Sequence, residues 1–164
     1  MTDLATANPL YEVAVVVPVH NESENIRPLI EEISAALDGV ADYEIIYVND
    51  GSTDDTADQL TALAHEQPRL SIYQHAQACG QSAAVATGVK HARATFIATL
   101  DGDGQNDPAD IPALFARLKQ AADADLLLVA GWRAKRKDTA WKRFQSKLAN
   151  GVRQKLLGDN TPDT

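Results

Sequence analysis

Short apolar runs rich in β-branched residues recur along the chain, separated by longer segments of helical period. The runs cover residues 13–17, 44–48, 70–73, 95–100 and 126–130. They are nearly continuous rather than alternating, which is the pattern of strands buried on both faces. Between them Ile26, Leu29, Ile30, Ile33 and Leu37 make one helical stripe. Leu60, Leu63 and Ala64 make a second, Ala83, Val85, Ala86 and Val89 a third, and Ile111, Leu114, Phe115 and Leu118 a fourth. Pro28 and Pro112 fall in first turns, where a missing N–H costs nothing. Ser52 or Thr53 is placed to cap the second helix. Alternating strands and helices predict an α/β fold with a mainly parallel sheet.

Length adds one constraint: 164 residues with 45% hydrophobic composition suit one domain with a real core. The single cysteine, Cys79, excludes an internal disulfide and fits a reducing compartment. The N-terminus lacks the basic and apolar regions of a signal peptide, and no run reaches membrane-spanning length.

Charge changes the picture more. Residues 1–131 hold twenty Asp and Glu against six Lys and Arg, whereas residues 132–155 hold nine Lys and Arg against one acid. The expected organisation is an acidic core, 1–131, followed by a basic segment, 132–164. A late basic segment suits a polyanionic partner, and a solvated basic helix is the plainer alternative. Within it Trp141, Phe144, Leu148, Val152 and Leu156 recur at helical spacing among basic residues. That stripe can pack on the sheet or lie on an anionic membrane surface. Nucleic acid is not expected as a partner.

In parallel α/β sheets ligands bind beyond the carboxyl ends of the strands. Three such ends are polar: Pro18-Val-His-Asn-Glu22, Asn49-Asp-Gly-Ser52 and Asp101-Gly-Asp-Gly-Gln105. The last belongs to an acidic loop, residues 101–107, whose carboxylates repel unless a cation lies between them. An EF-hand loop would need Gly at its sixth position and Glu at its twelfth. Counted from Asp101, those positions hold Asn106 and Pro112. A dinucleotide fingerprint would need a third glycine where Asp107 stands. A dehalogenase-type phosphotransferase motif would follow the first strand and continue with Thr rather than Gln105. Two readings remain: a plain Asx-rich turn, and a divalent cation holding a nucleotide diphosphate. In the second, Asp101 and Asp103 approach Mg²⁺ or Mn²⁺ and Gln105 adds a neutral oxygen.

The three strand ends, in the order VVVPVHNESENI, IIYVNDGSTDDT and ATLDGDGQNDPADI, resemble the inverting family 2 glycosyltransferases of GT-A fold. The segment AGWRAKRKDTAWKRFQSKLANGVRQKLLGDNTPDT is similar to the phosphate-grasping segment of their polyprenyl-phosphate branch, which includes dolichyl-phosphate mannosyltransferase and undecaprenyl-phosphate sugar transferases. The resemblance implies a Rossmann-like three-layer sandwich. It implies that Pro18, Asn21 and Glu22 line a nucleoside pocket and that Asp50 hydrogen-bonds the base or ribose. Asp101 and Asp103 become catalytic and, with Gln105, hold the metal and diphosphate; Arg133, Arg143 and Ser146 face donor diphosphate or acceptor phosphate. The implied reaction moves a sugar, with inversion, from a UDP- or GDP-sugar to a polyprenyl phosphate. An ionised phosphate nucleophile needs no general base, so His20, His65, His75 and His91 are expected to be structural or surface residues.

Family members continue past the Asp163-Thr164 match, so the chain is expected to be truncated on its acceptor side. The full-length parent is expected at the cytoplasmic face of the inner membrane. Other readings stay open: a non-catalytic nucleotide- or membrane-binding module, and a family 2 transferase with a different acceptor. A sugar nucleotidyltransferase would need a glycine-rich, basic first loop, where this chain has the acidic PVHNESE.

Overall fold

The computed structural model describes residues 9–120 and 128–131. Among the described residues four strands, β1 (Tyr11–Val19), β2 (Tyr43–Asp50), β3 (Leu70–His75) and β4 (Ala94–Thr99), form a parallel sheet in the order β3-β2-β1-β4. Four α-helices connect or follow them: α1 (Ile26–Leu37), α2 (Thr56–Glu66), α3 (Gln81–His91) and α4 (Ile111–Lys119). Short 3₁₀ turns, Ser23–Asn25 and Pro108–Asp110, precede α1 and α4. Contacts divide the chain into two units, Met1–Leu127 and Leu128–Thr164.

The first unit is layered as strand alternation requires. Val13, Val15, Val17 and Val19 of β1 join one core with the α1 stripe, Leu60 and Leu63 of α2, and Ile111 of α4. Ala14 and Val16 point the other way and meet Ile46, Val48 and Ala84 of α3. Helices on both faces make this a three-layer α/β sandwich. Because β1 and β2 are covered twice, they read as unbroken apolar runs, whereas β4 alternates between half-buried and exposed.

Glu44 interrupts the apolar run of β2. It is 1% exposed, and Arg93 holds both its oxygens: the amide reaches Oε1 at 2.5 Å and Nη2 reaches Oε2 at 3.1 Å. A buried carboxylate requires such pairing.

Three expectations need correction. The α3 face on the sheet is Ala84 and Gly88, not Ala83, Val85, Ala86 and Val89; Val89 is exposed. A β-carbon at Gly88 would collide with Val16, so the seam admits only small residues. Apolar size, which marks most helix faces, therefore points to the wrong side here.

Neither Ser52 nor Thr53 caps α2, which begins three residues later; Asp54 Oδ1 accepts from the Thr56 amide at 3.1 Å instead. Of the fifth expected strand, residues 126 and 127 lie outside the described residues, and 128–130 carry no strand.

Candidate functional site

The carboxyl ends of β1, β2 and β4 open into a cleft of about 300 Å³ lined by Pro18, His20, Glu22, Asp50, Gln81, Asp101, Gly102 and Asp103, with Val19 at its base. The parallel register makes this convergence unavoidable. Val19 pairs with Asn49, beside Asp50, and Val16 pairs with Thr99, two residues before Asp101. Gly102 tightens it: a β-carbon there would strike Val19 and stand 2.9 Å from the Pro18 carbonyl. Only glycine lets the acidic loop lie against the end of β1.

Asp50 is 4% exposed. Its Oδ1 accepts from His75 Nδ1 at 2.6 Å and from the Cys79 amide at 2.8 Å, and Oδ2 accepts from the Gly80 amide at 2.7 Å. The carboxylate thus satisfies backbone donors leading into α3 and places negative charge at that helix's positive end. Burial alone pushes the Asp50 carboxyl up, but the Cys79 amide, His75 and the Gly80 amide outweigh it and hold it below the usual range. Gly51, at φ +65°, runs so close to Gln77 and Ala78 that a side chain would be blocked. That contact brings the β3–α3 loop to Asp50.

Asp101 and Asp103 stand on either side of Gly102. Gln81, the first residue of α3, donates from Nε2 to Asp101 Oδ1 at 2.6 Å, and the Gln105 amide donates to Asp103 Oδ1 at 3.0 Å. Among the described residues neither carboxylate forms an ion pair with Lys, Arg or His. Two carboxylates in an open cleft without a protein cation are a donor set that fits a hard divalent ion bound through oxygen.

The structure brings together Pro18, Glu22, Asp50, Asp101 and Asp103 of the expected site. Asn21 is not among the residues lining the cleft. It adopts φ +58°, and its Oδ1 accepts from the Thr53 amide at 2.8 Å, stapling the β1–α1 loop to the β2–α2 loop. Gln105 is exposed outside the lining. Arg133, Arg143 and Ser146 lie outside the described residues, as does the stripe from Trp141 to Leu156.

His20 and Gln81 line the cleft without having been expected there. His20 Nδ1 faces the Asp50 carbonyl at 2.8 Å and Nε2 faces Asn21 Nδ2 at 3.2 Å, which fixes the neutral ring with its proton on Nδ1. Its signal was its place between Pro18 and Asn21. Gln81 gave a weaker one, a polar residue after Gly80 at the head of a helix.

The family model described as Glycosyl transferase family 2 matches residues 14–164. A dodecaprenyl-phosphate galacturonate synthase of Rhizobium johnstonii is 40% identical over 150 residues, covering 90% of this chain and 44% of the relative. An undecaprenyl-phosphate 4-deoxy-4-formamido-L-arabinose transferase of Serratia proteamaculans is 35% identical over 163 residues, covering 98% and 48%.

Among solved structures, the mannosyltransferase PcManGT from Pyrobaculum calidifontis, in complex with GDP-Man and Mn²⁺, superposes with a TM-score of 0.57 at 25% identity, over 73% of this chain and 35% of that one. S. aureus TarS 1-349 with UDP-GlcNAc gives 0.52 at 21% identity, over 66% and 32%, a likeness of fold alone.

The fold is therefore the GT-A α/β sandwich of glycosyltransferases. The chain belongs to glycosyl transferase family 2. It spans about half the length of the curated relatives it matches.

Proposed function

We propose that this chain is the donor-binding part of a glycosyltransferase that moves a sugar from a nucleotide diphosphate sugar to a polyprenyl phosphate, with inversion and with Mg²⁺ or Mn²⁺. The observation that carries the proposal is the convergence of Asp50, Asp101 and Asp103 from two strand ends in one cleft, with no Lys, Arg or His among the described residues paired to Asp101 or Asp103. The acceptor class is supported by the two relatives, a dodecaprenyl-phosphate galacturonate synthase and an undecaprenyl-phosphate sugar transferase.

In this reading Pro18, Glu22 and Asp50 receive the nucleoside. Asp50 has one acceptor position left on Oδ2, enough for one N–H or O–H of a base or ribose. Asp101 and Asp103 hold the cation, and Gln105, exposed outside the cleft lining, is kept as a further oxygen donor on sequence alone; when bound, the cation neutralises charge on the departing diphosphate. Gln81 keeps the Asp101 carboxylate turned into the cleft. An acceptor phosphate is already ionised at neutral pH and attacks without a protein base. Arg133, Arg143 and Ser146 are proposed, on sequence alone, to face phosphate. The full-length protein would work at the cytoplasmic face of a membrane; among the described residues no helix is long and apolar enough to cross one.

The test is a transfer assay on the full-length protein with UDP- and GDP-sugars and a polyprenyl phosphate. The expected outcome is an inverted glycosyl phosphate formed only with Mg²⁺ or Mn²⁺. Transfer that persists undiminished in EDTA contradicts the metal assignment, and hydrolysis without lipid product contradicts the acceptor.

A further inference from the structure

Beside the cleft, three side chains of different chemistry meet from three parts of the fold. Asp50 ends β2, His75 ends β3, and Cys79 lies in the loop before α3. A carboxylate oxygen, a ring nitrogen and the thiol sulfur lie within 4.8 Å of one another. We propose that Asp50, His75 and Cys79 form a second cation site, separate from the Asp101–Asp103 pair, for a borderline-soft divalent ion of which Zn²⁺ is the best chemical match.

Carboxylate, imidazole and thiolate are all zinc ligands, and three protein ligands leave a fourth position for water. Hard Mg²⁺ is disfavoured by nitrogen and sulfur donors. Zinc bonds of roughly 2.0–2.3 Å place tetrahedral ligands roughly 3.3–3.8 Å apart, so Nδ1 and Oδ1, now 2.6 Å apart, must open by about 0.7 Å while the sulfur closes by up to about 1 Å. Cys79 is exposed, and its thiol, which donates to the Gln77 carbonyl at 3.3 Å, gives up that contact on turning to the ion.

The surroundings of His75 already suit metallation. Nδ1 faces Asp50, and Nε2 lies 2.9 Å from Thr87 Oγ1. With the ion on Nδ1, the neutral ring carries its proton on Nε2, and the Thr87 hydroxyl accepts it. A hydrogen bond on the far ring nitrogen is how histidine ligands are oriented. The Cys79 thiol gives its proton to solvent, Asp50 Oδ1 exchanges two hydrogen bonds for the ion, and Oδ2 keeps the Gly80 amide.

The cation site stands without the donor reading, but one consequence rests on it. Asp50 lines the cleft, so Zn²⁺ on Oδ1 draws negative charge from the carboxylate, weakens the hydrogen bond that Oδ2 offers a nucleoside and lowers nucleotide affinity.

The experiment uses Co²⁺ as an optical probe and Zn²⁺ as competitor, on the whole chain. Co²⁺ is expected to give a thiolate charge-transfer band with tetrahedral ligand-field absorption, and Zn²⁺ to abolish it. Because Cys79 is the one cysteine in the sequence, the band reports that residue. Zn²⁺ affinity should collapse in Cys79→Ser, fall roughly 10–100-fold in Thr87→Val, and survive in Asp103→Asn. Should Cys79→Ser misfold, protection of Cys79 from iodoacetamide by Zn²⁺ in the unmutated protein gives the same answer. No thiolate band, Zn²⁺ affinity unchanged in Cys79→Ser, or no protection overturns the site, as does loss of Zn²⁺ binding in Asp103→Asn. A thiolate band without any effect of Zn²⁺ on UDP or GDP binding upholds the site and counts against the nucleoside role of Asp50.

Discussion

Asp50 uses three of its acceptor positions inside the protein, and the fourth is what a ligand can reach. That division separates its two duties. The inward bonds organise the approach to α3, and the remaining position is the one proposed to serve the nucleoside and not the diphosphate, which its charge would repel. Asp50→Ala should weaken binding of the nucleoside and of its diphosphate by the same factor, about 1–3 kcal/mol for a lost charged hydrogen bond. Calorimetry on both ligands checks this, and a loss confined to the diphosphate would contradict it. His75 supplies one of the inward bonds, so a histidine expected to be structural lies directly behind a residue of the site. The sequence could not reveal this, because the pair is formed across neighbouring strands 25 residues apart.

At the scale of elements, what could be read from the sequence depended on how much chemistry each pattern carried. The strands β1 to β4 and the α1 stripe follow from large apolar residues at the right period, and the structure keeps them. α3 misled because its inward face is made of Ala84 and Gly88, whose small size is itself the packing requirement. Gly88→Val should therefore destabilise the domain, by about 1–3 kcal/mol for overpacking a tight seam. Urea unfolding measures it, and an unchanged midpoint would mean the seam is loose.

The β2–α2 loop misled differently. Ser52 and Thr53 have capping side chains, but Asn21 engages both: its backbone N–H donates to Ser52 Oγ, and its Oδ1 accepts from the Thr53 hydroxyl at 3.3 Å. Capping passes to Asp54. Hydrogen bonds from Thr56, and then from Ser23, hold its carboxyl at about 2 against a usual 3.8. A depressed folded-state value means that this contribution is complete above about pH 4 and is lost as pH falls through about 2. The stability difference between the unmutated chain and Asp54→Asn should shrink across that window. A difference constant with pH would remove the charged cap.

For the whole molecule, one sheet edge gathers what the sequence listed separately. The polar ends of β1, β2 and β4 become a single cleft because parallel strands in register must finish together, and Gly102 closes the last gap. That much of the site could be anticipated from the rule for parallel sheets. Gln81 could not, since it comes from the helix that follows the one strand whose end drew no attention. The basic segment 132–155 opposes an acidic core in charge, and its expected phosphate ligands lie outside the described residues.

The central claim is that Asp101 and Asp103 bind a nucleotide diphosphate through a divalent cation. Calorimetric titration of UDP and GDP, each with Mn²⁺ or with EDTA, tests it on the unmutated chain and on Asp103→Asn. One of the two nucleotides should bind with Mn²⁺, and its affinity should fall roughly a hundredfold in EDTA and in Asp103→Asn, the scale of a cation's contribution to holding diphosphate charge. Equal affinity with Mn²⁺ and with EDTA, unaltered by Asp103→Asn, would contradict the account.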